Sequence, residues 1–113
     1  MFANSKVQNL DLSKFNTKNV TTMSGMFKYT SVVKLDLDTF DTRSVENMSS
    51  MFYENKSSTL DLSSFILKED VDLTSMFGIA KARIGYAKDE KSINKFNDNT
   101  ITSISSTLKF VVK

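Results

Sequence analysis

The chain has 113 residues, 40% of them hydrophobic, which is enough for one modest core and too little for two independent domains. It contains no cysteine and no histidine, so disulfides, thiolate metal sites, cysteine nucleophiles and the commonest general base are excluded. Residues 1–79 carry 8 basic and 10 acidic side chains, and residues 80–113 carry 7 basic and 3 acidic ones, so the whole chain has a net charge of +2. The mildly acidic repeats argue against nucleic-acid binding, which needs a continuous basic surface.

A period of 25 residues organises most of the chain. Met-Phe pairs recur at 1–2, 26–27, 51–52 and 76–77, and Leu-Asp-Leu triplets recur at 10–12, 35–37 and 60–62. Such columns predict stacked repeats over residues 1–79, with a partial first unit and units starting at residues 10, 35 and 60. Because the chain opens within a unit, it is compatible with a piece of a longer array as well as with a true start. Its first residues lack the pattern of a signal peptide.

Each unit combines two periodicities. In the first complete unit, apolar and polar residues alternate over 10–13, which predicts a short strand with one buried face. Polar residues 16–19 then predict a turn. Apolar residues within 20–27 follow at i, i+3, i+6 and i+7, so we expect one short helix per unit. Small residues before the Met-Phe pairs are expected to let successive units approach closely. They are Gly25, Ser50 and Ser75.

The third unit departs from the repeat. Ile66 and Leu67 replace the polar turn pair, and Asp70 stands where the other units have valine. Terminal repeats are usually atypical, because one of their faces meets something other than another repeat. We therefore expect a cap to follow.

Residues 80–113 are interpreted as that cap. The pattern over 89–97 predicts a short helix with Ile93 and Phe96 facing inward, and residues 107–113 predict a strand. Together these two elements would cover the end of the stack.

The pattern LDLSxFDTxxVxNMxxMF over residues 10–77 resembles the BspA-like leucine-rich-repeat family, as found in mycoplasma surface lipoproteins and in surface proteins of Gram-positive bacteria. The three copies read LDLSKFNTKNVTTMSGMF, LDLDTFDTRSVENMSSMF and LDLSSFILKEDVDLTSMF, of which the last matches least well. The ending LKFVVK is similar to the strand that closes many such domains. The resemblance alone implies a cell-surface or extracellular adhesion module that binds a protein or glycan, with no catalytic residue and no cofactor.

The periodicity and the resemblance together predict an α/β fold. The predicted architecture is a right-handed solenoid of the leucine-rich-repeat kind, with one short parallel strand and one short helical turn per 25-residue coil. Successive strands would pair about 4.8 Å apart and join the apolar columns into one core. The Met-Phe stripe is interpreted as core and not as an exposed methionine-rich groove. The predicted core residues are Leu10, Leu12, Phe15, Met23, Met26, Phe27, Leu35, Leu37, Phe40, Met48, Met51, Phe52, Leu60, Leu62, Phe65, Met76 and Phe77.

One outward-facing column is chemically distinctive. Asp11, Asp36 and Asp61 stand between the strand leucines of their units, and Asp38 lies beside them. Like charges about 5 Å apart repel, so this ladder needs compensation. Water, hydroxyls and Lys34 can supply it, or a basic or hydroxyl-rich partner can. Calcium is a third candidate, but one carboxylate per coil is few for a cation that takes six or more oxygens. The four aspartates are the candidate ligand-binding residues, and no metal site is predicted.

The two ends of the chain suggest further contacts. Basic residues of the cap form either a solvated surface or a patch for anionic glycans or lipid head groups. No apolar run is long enough for direct membrane insertion. The strand around Leu10 would lie at the edge of the sheet, where an unpaired strand is a template for another chain, so self-association through the amino-terminal end is expected.

Two function hypotheses follow from different classes. One is surface recognition through the exposed strands, and the other is a structural spacer within a longer surface protein. An enzyme is not predicted, because glycosidase chemistry needs a carboxylate pair across a cleft and the pattern places none there.

Overall fold

The computed structural model describes residues 9–10, 12, 14–31 and 34–113. Its strands and helices are β1 (Asn9–Leu10), β2 (Lys34–Leu35), β3 (Thr59–Leu62), β4 (Ile84–Ala87), α1 (Glu90–Phe96), α2 (Asn99–Thr102) and β5 (Lys109–Val112). The predicted ligand residue Asp11 and the side chain of the predicted core residue Leu10 lie outside the described part.

The strands pair in parallel, and each pair is offset by 25 residues. Leu10 lies opposite Leu35 between β1 and β2. In the sheet β3-β4-β5, Leu60 lies opposite Gly85, and Gly85 lies opposite Phe110. The repeat register therefore continues into the predicted cap, although the hydrophobic pattern there does not predict β4.

Turns occupy the segments where the sequence predicts a short helix. The segments are 24–29, 49–54 and 74–79. In the first, the Met26 N–H donates to the Met23 carbonyl (3.1 Å), whereas the Met23 N–H donates to the Asn47 carbonyl of the next unit (2.8 Å). An α-helix would keep these N–H groups within one unit. The predicted helical turn is thus corrected to a stack of turns that hydrogen-bonds from unit to unit.

The residue before each Met-Phe pair has a left-handed backbone conformation. Gly25, Ser50 and Ser75 have φ of 64°, 55° and 56°. Glycine adopts this conformation freely, whereas a side chain with a Cβ costs about 1 kcal/mol or more. This conformation accounts for the glycine at position 25, where a Cβ would meet only the Lys28 side chain, at 4.0 Å, but it does not select small side chains, because larger residues also adopt it. The same conformation recurs four residues later, at Tyr29, Glu54 and Ile79.

Nearly all predicted core residues with described side chains are buried. They are Leu12, Met23, Met26, Phe27, Leu37, Phe40, Met48, Met51, Phe52, Leu60, Leu62, Phe65, Met76 and Phe77. Leu35 is half-buried and packs against this cluster. The rings of Phe27, Phe52 and Phe77 stack from unit to unit, with centroid distances of 5.7 and 5.9 Å. Since truncating a buried phenylalanine costs about 3–5 kcal/mol, this column binds the units together.

Phe15 departs from the predicted core, because its side chain is 41% exposed. Its repeat counterparts Phe40 and Phe65 are buried and stack with a centroid distance of 6.5 Å. The repeat position alone therefore does not determine burial in every unit.

The cap closes the core with three aromatic rings. Centroid distances are 5.6 Å between Phe77 and Phe96, 4.8 Å between Phe77 and Phe110, and 4.9 Å between Phe96 and Phe110. Gly85 stands where the repeats have a strand leucine, and a Cβ at that position would lie 2.3 Å from the Phe110 ring. The phenylalanine therefore fills the space that the leucine occupies in the repeats.

The cap helices are positioned by hydrogen bonds at their ends. α1 lies within the predicted segment 89–97, and the Asp89 carboxylate accepts from the Ser92 N–H (2.9 Å) as its N-cap. Phe96 is buried, and Ile93 is half-buried against the core. The sequence does not predict α2, which accepts hydrogen bonds from the turn segment 74–79. The Ser75 N–H donates to the Ile101 carbonyl at 2.8 Å.

The outer edge of β5, which lies within the predicted strand 107–113, is closed by one side chain. The Lys109 N–H donates to the Arg83 carbonyl of the preceding unit (3.4 Å), so the polar groups of the following residue, Phe110, point the other way. There the Asn97 side chain donates from Nδ2 to the Phe110 carbonyl (3.2 Å), and its Oδ1 accepts from the Phe110 N–H (3.1 Å). A carboxamide thus replaces a neighbouring strand at this residue.

Candidate functional site

The candidate site is the outward face of the strands, the strand ribbon, formed by Asp36, Asp38, Asp61, Tyr86 and Val111. Alternation along each strand exposes it, because neighbouring strand residues such as Leu60 and Leu62 are buried while Asp61 between them is half-exposed. Asp61, Tyr86 and Val111 lie opposite one another in the parallel register. Asp36 and Asp38 follow β2 and are exposed.

The ribbon aspartates have a local structural role that the sequence does not reveal. Oδ1 of Asp36 accepts from the Asp38 N–H (3.0 Å). Oδ1 of Asp61 accepts from both the N–H and the hydroxyl of Ser63, at 3.0 and 2.6 Å. Each carboxylate therefore closes an Asx turn at the end of a strand. Asparagine supports the same bond, since Oδ1 of Asn47 accepts from the Ser49 N–H (2.9 Å) in the second unit.

Asp61 also forms an ion pair with the last residue of the chain. Its Oδ2 lies 2.6 Å from the Nζ of Lys113, and the two side chains are 28% and 55% exposed. Partial burial acts to raise the pKa of Asp61, but the hydrogen bonds from Lys113 and Ser63 outweigh it and hold that pKa below its ordinary value. The same hydrogen bond raises the pKa of Lys113, to which the charge of Asp38 also contributes. A ligand that needed Asp61 would have to displace Lys113.

The four predicted aspartates thus have different environments. Asp36 and Asp38 are exposed, Asp61 is paired with Lys113, and Asp11 lies outside the described residues. Lys113 compensates the charge of Asp61, while the side chain of Lys34, the predicted compensating cation, lies outside the described part of the chain. Counted by the period of 25, Lys113 falls in the column of Asp38, Ser63 and Lys88, two positions after the column of Asp61, and only the continuation of the register past residue 79 brings the two columns together.

Three further kinds of feature are absent from the described part of the chain, and a cleft is present there as well. Within it, no group of three or more acidic, histidine or cysteine side chains is placed to hold a metal ion. None of the described helices combines the length and the apolar character that a membrane span requires. Every buried side-chain nitrogen or oxygen of these residues has a hydrogen-bond partner. A cleft of about 80 Å³ lies between the third unit and α1.

Comparison with known families identifies the chain. Residues 1–89 match the family described as mycoplasma protein of unknown function, DUF285. The chain belongs to the DUF285 family. This confirms the coarse prediction of a BspA-like bacterial repeat family, whose description assigns no function. No curated protein and no solved structure matches the chain.

The DUF285 match ends one residue before α1 begins. It therefore covers the part of the chain that contains β1 to β4 and the turn segments 24–29, 49–54 and 74–79, while α1, α2 and β5 lie beyond it. The strand ribbon spans both parts, since Val111 belongs to β5.

Proposed function

We propose that this DUF285 chain is a non-catalytic recognition or adhesion module that binds a protein or glycan at a cell surface through the strand ribbon. The finer resemblance, to leucine-rich repeats of the LDLSxFDTxxVxNMxxMF type, supports the surface location and the solenoid form. The parallel strands, with their constant offset of 25 residues, are the arrangement that such a solenoid requires.

The observation that carries the proposal is the register of the outward side chains. Asp61, Tyr86 and Val111 form one row across three strands. Strands repeat about every 4.8 Å, so a row of this kind offers regularly spaced contacts to an extended ligand. The exposed carboxylates of Asp36 and Asp38 favour a ligand with basic or hydroxyl groups.

Binding of the purified domain to immobilised matrix proteins, mucins and glycans tests the proposal. The informative variant is the double substitution Asp36→Asn and Asp38→Asn, because asparagine at position 36 keeps the Asx-turn acceptor and removes only the charge. Its matched control is Glu46→Gln with Glu90→Gln, which changes the net charge equally at exposed positions outside the ribbon.

The wild type and the control variant are expected to bind at least one immobilised ligand, and the ribbon variant is expected to bind it at least about tenfold more weakly. Thermal unfolding establishes that all three proteins are folded. Equal binding by the ribbon variant and the control variant would remove the ribbon from the proposal.

A second candidate function is the structural spacer, and one observation favours it. The carboxylates of Asp36 and Asp61 are engaged in bonds within the chain, which a purely structural array would also contain. A spacer should bind none of the immobilised ligands, and the ribbon substitutions should then change nothing but surface charge.

A further inference from the structure

The cleft between the third unit and α1, which we call the cap cleft, combines cationic and apolar side chains. Its lining includes the lysines Lys88, Lys91 and Lys95 and the apolar pair Ile66 and Leu67. Lys91 and Lys95 lie one helical turn apart on α1, and Lys88 precedes the helix. We propose that the cap cleft binds one tetrahedral oxyanion, the sulfate or phosphate group of a monoester.

The positive charge of the cap cleft is only weakly compensated. Lys95 Nζ donates to the Glu69 carbonyl oxygen (3.0 Å), which is a neutral acceptor. Lys91 pairs with the Glu69 carboxylate at 3.3 Å, but both side chains are more than 70% exposed, so this pair is weak and easily displaced.

Asp89 is the carboxylate in the lining. It lies 3.6 Å from the Nζ of Lys88, and its Oδ1 already accepts from the Ser92 N–H as the helix N-cap. Three lysines therefore face two carboxylates, of which that of Asp89 also caps α1 and that of Glu69 is 86% exposed, and this leaves an excess positive charge for an anion.

The apolar side of the cap cleft is a departure from the repeat. In the second unit the equivalent of Leu67 is Thr42, whose hydroxyl donates to the Ile66 carbonyl of the next unit (2.8 Å). No complete unit follows the third one, so a hydroxyl at position 67 would have no such carbonyl to bond, and this accounts for the apolar residue Leu67. It does not account for Ile66, whose side chain remains 42% exposed beside the lysines.

Size and chemistry narrow the ligand. At about 80 Å³ the cleft holds a few water volumes and so has room for a small anion, whereas sites for drug-sized ligands measure about 300–1,000 Å³. Lysine ammonium groups bind oxyanions as compact point charges and need no planar partner. Exposed Ile66 at the rim supplies an apolar contact for the group that carries the oxyanion. A sulfated sugar and a phospholipid head group share this chemistry.

The test uses the full chain and three probes, namely heparin, phosphatidic acid vesicles and inorganic sulfate. The cleft variant is Lys88→Gln with Lys91→Gln and Lys95→Gln. Its control is Lys14→Gln with Lys18→Gln and Lys56→Gln, which removes the same charge at exposed lysines of the repeats. A further variant, Ile66→Asn, introduces the residue that the first unit carries at this position.

The cleft variant is expected to lose about tenfold or more in affinity for the probe that binds, while the control variant changes much less. Binding to heparin assigns the oxyanion to a sulfated polysaccharide, and binding to vesicles assigns it to a lipid phosphate. Inorganic sulfate should compete in both cases, and Ile66→Asn should weaken binding with its unfolding midpoint unchanged.

Equal losses in the two lysine variants would overturn the proposal by showing diffuse charge attraction, and so would a wild type that binds none of the probes. The proposal does not rest on the strand ribbon. The variant Asp36→Asn with Asp38→Asn should retain its affinity for the oxyanion probe, so the two sites can fail independently.

Discussion

Replacing Asn97 by alanine tests whether one side chain closes the edge of the sheet. The substitution removes the bond from Nδ2 to the Phe110 carbonyl (3.2 Å) and the bond from the Phe110 N–H to Oδ1 (3.1 Å). The backbone bond from the Asn97 N–H to the Ile93 carbonyl, which ends α1, is kept. The change therefore isolates the side-chain contact with β5.

The expected loss of stability follows from these two bonds. A hydrogen bond within a protein contributes about 0.5–1.5 kcal/mol net, so Asn97→Ala should lower the free energy of unfolding by about 1–3 kcal/mol. For a domain of this size that corresponds to a fall in the melting temperature of roughly 4–12 °C. Asn97→Asp keeps an acceptor and loses the donor, so it should lose the bond to the Phe110 carbonyl.

Thermal unfolding, amide hydrogen exchange and analytical ultracentrifugation check the result. The Phe110 amide should exchange faster in Asn97→Ala, and the opened edge should promote concentration-dependent association through β5. Asn94→Ala, on the exposed side of α1, is the control and should be neutral or slightly stabilising, because alanine favours helix. An Asn97→Ala protein that melts like the wild type, with the Phe110 amide equally protected, would refute the closure.

Three further predictions follow from the core and from the ion pair. Gly85→Ala should destabilise the protein by about 1–3 kcal/mol, because the new Cβ would lie 2.3 Å from the Phe110 ring. Gly25→Ala has space for its Cβ and should cost only about 1 kcal/mol for its positive φ. Equal midpoints of urea unfolding for the two variants would contradict this difference. The pKa of Asp61 is lower in the folded chain than in the unfolded chain, so the stability from its pair with Lys113 is present above the unfolded pKa and is lost as the pH falls through the folded one. As the pH falls from about 5 to about 2, Lys113→Gln should therefore lose less stability than the wild type, and parallel stability curves would exclude this contribution. Met51 is fully buried, so Met51→Asp should prevent folding, and a cooperative melting transition in that variant would show that the position is not core.

The buried positions could be predicted because the same hydrophobic residue recurs at each of them in several units. Met26, Met51 and Met76 share one position and are all buried, as are the phenylalanines that follow them. A hydrophobic side chain that recurs at one position of a stacked repeat has the same neighbours in each copy. Phe15 departs from the rule, since its side chain is 41% exposed.

The local structure of the turns could not be predicted from one unit. The spacing of apolar residues over 20–27 fits one face of a helix, and it fits a run of turns with the same inward positions equally well. The difference lies in the hydrogen bonds, since N–H groups such as that of Phe27 donate to the next unit, at the Met51 carbonyl (2.9 Å). Contacts between units have no signature in the periodicity of a single unit.

The cap shows a different limit. β4 carries Gly85 and Ala87 where the repeats have leucine, so its sequence lacks the strand pattern. Phe110, 25 residues further on, fills the space that Gly85 leaves. The glycine is therefore explained only by the phenylalanine that lies opposite it in the folded sheet. For the same reason the partner of Asp61 was not predicted, because Lys113 lies 52 residues away and is close only in the folded register.

The most direct test of the proposed function is the affinity of the ribbon variant, Asp36→Asn with Asp38→Asn, for the surface ligand that the wild type binds. Isothermal titration beside the control, Glu46→Gln with Glu90→Gln, gives the ratio of the two dissociation constants for folded proteins of equal charge. Recognition through the strand ribbon predicts a ratio of about ten or more. A ratio near one would contradict it and favour the spacer.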